Sequence, residues 1–114
     1  MLNGELSAEQ ARAVSLVEGG SNAFLTGGAG TGKSFTLRTI IETLRATHGA
    51  DRVFVTASTG IAACAIGGTT VHSWAGIGLG RDSPHDLASK ILSRPPVKRR
   101  WDACRALVID EVSM

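Results

Sequence analysis

Eight residues near the start of the chain, Gly27-Gly28-Ala29-Gly30-Thr31-Gly32-Lys33-Ser34, constrain the fold more than any other stretch. They match G-x-x-x-x-G-K-S, the phosphate-binding loop, a pattern that works only where a strand runs into a helix. Both flanks comply. Ala23-Phe24-Leu25-Thr26 is a short apolar run that reads as the strand, while Leu37, Ile40, Ile41 and Leu44 recur at helical spacing on one face, with Gly49 placed to stop them. Glycines let backbone amides turn inward around a β-phosphate, the helix N-terminus adds partial positive charge, and Lys33 adds a full one. Ser34 would set its hydroxyl on Mg²⁺. The dinucleotide fingerprint G-x-G-x-x-G fails in both registers, because the sixth residue is Lys33 counted from Gly28 and Phe35 counted from Gly30.

The rest of the chain alternates in the same way. Ser7-Ala8-Glu9-Gln10 has the form of a capping box and opens a helix over residues 7–18 carrying Ala11, Val14 and Val17. Val53-Phe54-Val55 reads as a second strand, running into the small polar residues 56–60, and residues 61–66 as a short helix closed by Gly67-Gly68. Ser83-Pro84, with Asp86 in the first turn, starts a helix bearing Leu87, Ile91 and Leu92, which Pro95-Pro96 ends; residues 97–104 are a basic linker or short helix. Ala106-Leu107-Val108-Ile109 is a third strand. Apolar strands alternating with helices predict an α/β domain, a parallel sheet with helices on both faces.

Composition excludes more than it selects. With 114 residues the chain is one domain or a piece of one, and no apolar run reaches the roughly 18–20 residues of a membrane helix, so no membrane partner is expected. A formal charge of +2 is too small to mark a nucleic-acid binder by itself. Cys64 and Cys104 have no CxxC partner for zinc or redox work, and both read as reduced thiols in a cytosol-like compartment.

A second site is expected where Leu107-Val108-Ile109 runs into Asp110-Glu111, the form of a Walker B element. Asp110 would hold Mg²⁺ and Glu111 would orient and deprotonate the water that attacks a γ-phosphate. Between the two sites, Thr56-Ala57-Ser58-Thr59-Gly60-Ile61-Ala62-Ala63 repeats the phosphate-loop logic at the end of a strand, either as a site for a second anion or as an ordinary capped helix start. In Thr70-Val71-His72-Ser73-Trp74, His72 and Trp74 either stack on a base or pack in the core. Lys98-Arg99-Arg100, with Arg94 and Arg105 nearby, is a solvated face or a track for a polyanion.

Taken together, LSAEQ, FLTGGAGTGKSFTLR, VTASTGIAACAIGGTTVHSWAGIGLG and LVIDEVSM closely resemble the opening motifs of the PIF-type (petite integration frequency) DNA helicases of superfamily one. The resemblance covers nearly the whole chain, and TASTGIAA together with HSWAGIGLG is more specific than either nucleotide motif. It implies an ATP-dependent motor that moves 5′ to 3′ on single-stranded DNA and unwinds forked duplexes and G-quadruplex DNA. It also implies work in repair, recombination and telomere maintenance, a nuclear or mitochondrial location, and a monomer. By position, Gln10 resembles the glutamine that reads adenine, and the nucleotide loop comprises Gly27, Gly28, Ala29, Gly30, Thr31, Gly32, Lys33, Ser34 and Phe35. Lys33 and Glu111 take the catalytic roles, Ser34 and Asp110 the Mg²⁺ roles, and Ser58, Thr59, Gly60, His72 and Ser73 lie on the DNA track. Val71 and Trp74 replace the commoner Ile and Phe of the family.

On this resemblance residues 1–114 are the N-terminal part of a first RecA-like motor domain, truncated after the Walker B strand and lacking the second motor domain. These residues alone are expected to be inactive, because such a motor works by closing two domains around ATP. The strand after Walker B would lie between the phosphate-loop strand and the Walker B strand, so two inner sheet edges are expected to lack partners and the isolated piece to be marginally stable. The rival readings are a P-loop ATPase without a DNA role and a remnant that only binds nucleotide.

Overall fold

A computed structural model describes residues 7–25 and 32–112, and the chain divides into two units, residues 1–50 and 51–114. In the first, α1 (Ala8–Glu18) begins as its sequence predicts. Ser7 Oγ accepts from the Gln10 N–H at 3.2 Å and Gln10 Oε1 accepts from the Ser7 N–H at 2.8 Å, a complete capping box. The second helix, α2 (Lys33–His48), buries Thr36, Ile40, Ile41 and Leu44 along one face and packs on α1, whose Gln10 and Val14 are buried. It ends where Gly49, at φ 95°, donates its N–H to the Arg45 carbonyl, with Arg45 and His48 in the last turn opposing the negative end of the dipole.

The strand expected before the phosphate loop is not formed over its described residues. Ala23, Phe24 and Leu25 lie outside any ladder and Phe24 is 76% exposed; Thr26 lies outside the described residues. An apolar run becomes a strand only when a neighbour completes its hydrogen bonds, and none of the described strands does so here.

The second unit holds a parallel sheet of order β2-β1-β3, from β1 (Val53–Ala57), β2 (Thr69–Thr70) and β3 (Ala106–Asp110). The register pairs Val53 with Ala106 and Ala57 with both Asp110 and Thr70. Central β1 is buried on both faces at Val53, Val55, Thr56 and Ala57, as a parallel strand should be. Edge strand β3 departs from that expectation. Val108 is buried, but Leu107 and Ile109, alternating onto its other face, are 38% and 40% exposed.

The connection from β1 to β2 is α3 (Gly60–Ala65), and the chain then turns at Gly68 so close to β1 that a Cβ there would lie 2.2 Å from the Val55 carbonyl oxygen. Only glycine fits that approach. Three helices lead on to β3: α4 (Val71–Ala75), α5 (Pro84–Leu92) and α6 (Pro95–Ala103). Pro95 and Pro96 open α6, in the first-turn positions where a missing N–H costs nothing, and α5 has already ended at Leu92.

Trp74 resolves one alternative left open above. It is 5% exposed, with its ring 5.4 Å from that of Phe54 and 5.1 Å from that of Trp101, so it packs in the core. Of the basic run, Arg100 is used within the fold and Lys98 in an exposed ion pair. Arg100 donates from Nε to the Trp74 carbonyl and from Nη2 to the Ser73 carbonyl, while Lys98 pairs with Asp102 at 2.6 Å one turn along α6. Both cysteines are free thiols; Cys64 is exposed, and burial pushes the Cys104 thiol above its ordinary pKa, against smaller opposing effects of the Ala106 backbone and Arg105. No helix of the described residues is long and apolar enough to cross a membrane.

Candidate functional site

Residues Gly27, Gly28, Ala29, Gly30 and Thr31, expected to cradle phosphate, lie outside the described residues. Their C-terminal neighbour Gly32 caps α2 at φ 77°, ψ 17°, the left-handed region that glycine enters without a steric penalty. No side chain caps this helix start, and Lys33, Ser34 and Phe35 form its first turn. An N-terminus arranged so, with a lysine at its first position, suits an anionic ligand.

The Gly32 carbonyl is gripped from two sides. Thr36 approaches from within α2, its N–H and its hydroxyl both donating at 3.0 Å, and Gln10 Nε2 donates across from α1 at 3.2 Å. The expected adenine reader is therefore also a brace for the end of the phosphate loop. Its amide keeps a second N–H and a second lone pair, which is the donor and acceptor set that an adenine edge requires. A Cβ on Gly32 would lie 2.5 Å from that Nε2.

The acidic half is built around the end of β1. The ladder continues one residue beyond the strand, with the Ser58 N–H donating to the Asp110 carbonyl at 3.1 Å. The Ser58 hydroxyl donates to the carbonyl of Glu111. Deeper in the sheet, fully buried Thr56 donates its hydroxyl to the Val108 carbonyl at 2.7 Å. Glu111 has φ 56°, the only non-glycine residue with positive φ among the described ones, and its N–H donates to Asp110 Oδ1 at 2.9 Å. A left-handed conformation costs an L-residue about 1–2 kcal/mol, and such residues concentrate at functional sites.

Because all three strands run parallel, their C-terminal ends share one edge of the sheet. That edge gathers Ser58, Thr59 and Gly60 after β1, His72 and Ser73 after β2, and Glu111 after β3, with Asp110 its last strand residue. Ligands of open parallel sheets bind along this edge. Thr59 caps α3, its hydroxyl oxygen accepting from the Ala62 N–H at 3.2 Å, and Thr70 caps α4 through the Ser73 N–H in the same way. Gly60, His72 and Ser73 are exposed. Among the described residues no three His, Cys, Asp or Glu side chains cluster as a metal site.

Two contributors were not visible in the sequence patterns. Thr36 is one polar residue on an apolar helix face, and only its place one turn after Gly32 hints that it holds that carbonyl. Arg100 sits in a run that reads as surface charge, yet it fixes the end of α4 behind His72 and Ser73.

The sequence model of the PIF1-like helicase family matches residues 5–114. The chain is similar to the ATP-dependent DNA helicase PIF1 of Saccharomyces cerevisiae, at 51% identity over 109 residues that cover 96% of this chain and 13% of that protein. It is also similar to the ATP-dependent DNA helicase RRM3 of the same species, at 46% identity, with 96% of this chain and 15% of that one covered. A crystal structure of the Pif1 helicase from Candida albicans superposes over all of this chain and 25% of its own, with TM-score 0.90 and 48% identity. The α/β fold is therefore the one that structure contains, and this chain spans about one seventh of the length of these curated relatives.

Proposed function

The chain belongs to the PIF1-like helicase family, and from that membership we propose that it supplies the nucleotide half of the first motor domain of an ATP-dependent DNA helicase. The single observation that carries the reading is the shared sheet edge, where the acidic pair and both DNA-motif segments converge. Gln10 reads adenine; Gly27, Gly28, Ala29, Gly30, Thr31, Gly32, Lys33, Ser34 and Phe35 hold the triphosphate; Glu111 activates the attacking water. Residues Thr59, Gly60, His72 and Ser73 contact the DNA backbone at the strand ends. Ser34 and Asp110 offer oxygen ligands of the kind Mg²⁺ takes, and a magnesium ion held by one or two side chains plus phosphate needs no larger cluster. That ion would neutralise charge on the triphosphate.

Hydrolysis then drives movement 5′ to 3′ along single-stranded DNA and opening of forked and G-quadruplex DNA, by a monomer serving repair, recombination and telomere maintenance in the nucleus or mitochondrion. The relatives' names, ATP-dependent DNA helicase, support the ATP and DNA parts of this proposal. The test is ATP hydrolysis by the complete native protein with and without single-stranded DNA. Stimulation by DNA is expected; turnover indifferent to DNA would favour an ATPase with another partner, and nucleotide binding without turnover would leave only a remnant.

A further inference from the structure

We infer that Ser58 is a positioning residue for Glu111, an inference that rests on the hydrolytic role proposed for that glutamate. Ser58 leaves β1 in the segment whose resemblance assigns it to DNA, yet both of its hydrogen-bond donors are turned to the acidic pair, the N–H to the Asp110 carbonyl and the hydroxyl to the Glu111 carbonyl. A serine hydroxyl has one proton to give. While that proton goes to Glu111 it cannot go to a DNA phosphate, so the phosphate donor of this segment is Thr59, whose hydroxyl oxygen accepts the cap bond and keeps its proton.

The clamp falls where the backbone most needs one. Glu111 holds φ 56°, and the Asp110 carboxylate accepting from the Glu111 N–H fixes the peptide before it while Ser58, donating to its carbonyl, fixes the peptide after it. A left-handed residue persists only when its surroundings over-determine it. The Cα–Cβ direction of Glu111 follows from that backbone, so Ser58 sets the point from which the carboxylate reaches out. Thr59 and Gly60 continue directly from Ser58, and strain placed on them by bound DNA reaches the acidic pair through the two hydrogen bonds that Ser58 donates.

The experiment compares S58A and S58T in the complete native protein. S58A removes the hydroxyl and S58T retains one. The expected result for S58A is a fall of up to about a hundredfold in kcat for DNA-stimulated ATP hydrolysis, the scale on which a misplacement of about 1 Å acts, with KM for ATP and affinity for a single-stranded oligonucleotide unchanged. S58T restores kcat. Amide hydrogen exchange across residues 110–112, measured without nucleotide or DNA, is expected to speed up in S58A and not in S58T. Weakened oligonucleotide binding with kcat intact at saturating DNA would make Ser58 a DNA contact and overturn the inference, as would unaltered exchange in S58A. Should the wild-type protein not hydrolyse ATP, the functional reading fails, and the exchange comparison alone still decides whether Ser58 holds the acidic pair.

Discussion

The phosphate-loop end in the first unit and the acidic strand end in the second solve one problem with different residues. In each, a residue with positive φ has its carbonyl held by side chains: Gly32 at φ 77° by Gln10 from α1 and by Thr36 one turn along its own helix, Glu111 at φ 56° by Ser58 at the end of β1. The phosphate-loop end uses glycine, which occupies that region without steric cost and leaves the backbone bare for the phosphate proposed to bind there. The acidic strand end cannot, since the role proposed for Glu111 asks for a carboxylate at the same position. It accepts about 1–2 kcal/mol of local strain instead, offset by the Ser58 and Asp110 hydrogen bonds. On the proposed roles, the difference teaches that the side chain a position must carry decides where strain is stored.

The largest expected effect follows directly from that asymmetry. Glu111→Gln keeps the size and the hydrogen-bonded backbone but removes the base, so ATP binding should persist while turnover falls by a factor on the order of 10²–10⁴. Nucleotide affinity and steady-state hydrolysis in the same preparation check this. Normal turnover would take Glu111 out of the mechanism and leave its strained backbone without a functional reason.

Gly32→Ala probes the other half and should act mainly on structure. A Cβ meets the Gln10 amide at 2.5 Å, and the left-handed φ costs alanine about 1 kcal/mol or more. The amide is the far end of a flexible side chain and can swing away, at the loss of its bond to the Gly32 carbonyl. Native-state hydrogen exchange should therefore show the first turn of α2 loosened by about 1–2 kcal/mol. Adding Gln10→Ala should relieve the clash but not the φ penalty. Full recovery in the double variant would show that backbone strain at Gly32 is negligible and break the parallel with Glu111.

Legibility in the sequence divides along the same line. Local signals were readable: the capping box of α1, the apolar face and glycine stop of α2, and the alternation that predicts a parallel sheet all depend on residues within a few positions of one another. What depends on distant partners was not. The run from Ala23 to Leu25 has strand composition, yet no ladder forms because pairing depends on a neighbour and not on the run itself. Trp74 could not be assigned to core or base until Phe54 and Trp101 were seen beside it. Ser58 reads as a DNA contact from its motif, and its bond to Glu111, 53 positions away, has no sequence signature at all.

The smallest expected effect on stability is the most direct test of where strain resides. Glu111→Gly places in the acidic half the residue type that the phosphate half already uses. Relief of the left-handed conformation should stabilise by about 1–2 kcal/mol, while the greater unfolded-state freedom of glycine takes back about 0.5–1, leaving a net gain of about 0.5 kcal/mol. Glu111 is exposed, so its side chain contributes little packing to subtract from that figure. Slower exchange of the Ser58 amide, whose N–H is bonded to the Asp110 carbonyl, should accompany the gain, together with complete loss of hydrolysis. A variant both inactive and more stable would show that this position is held against its conformational preference for the sake of its carboxylate. A less stable variant would mean that Glu111 itself supports the strand end, through contacts that outweigh the cost of its backbone.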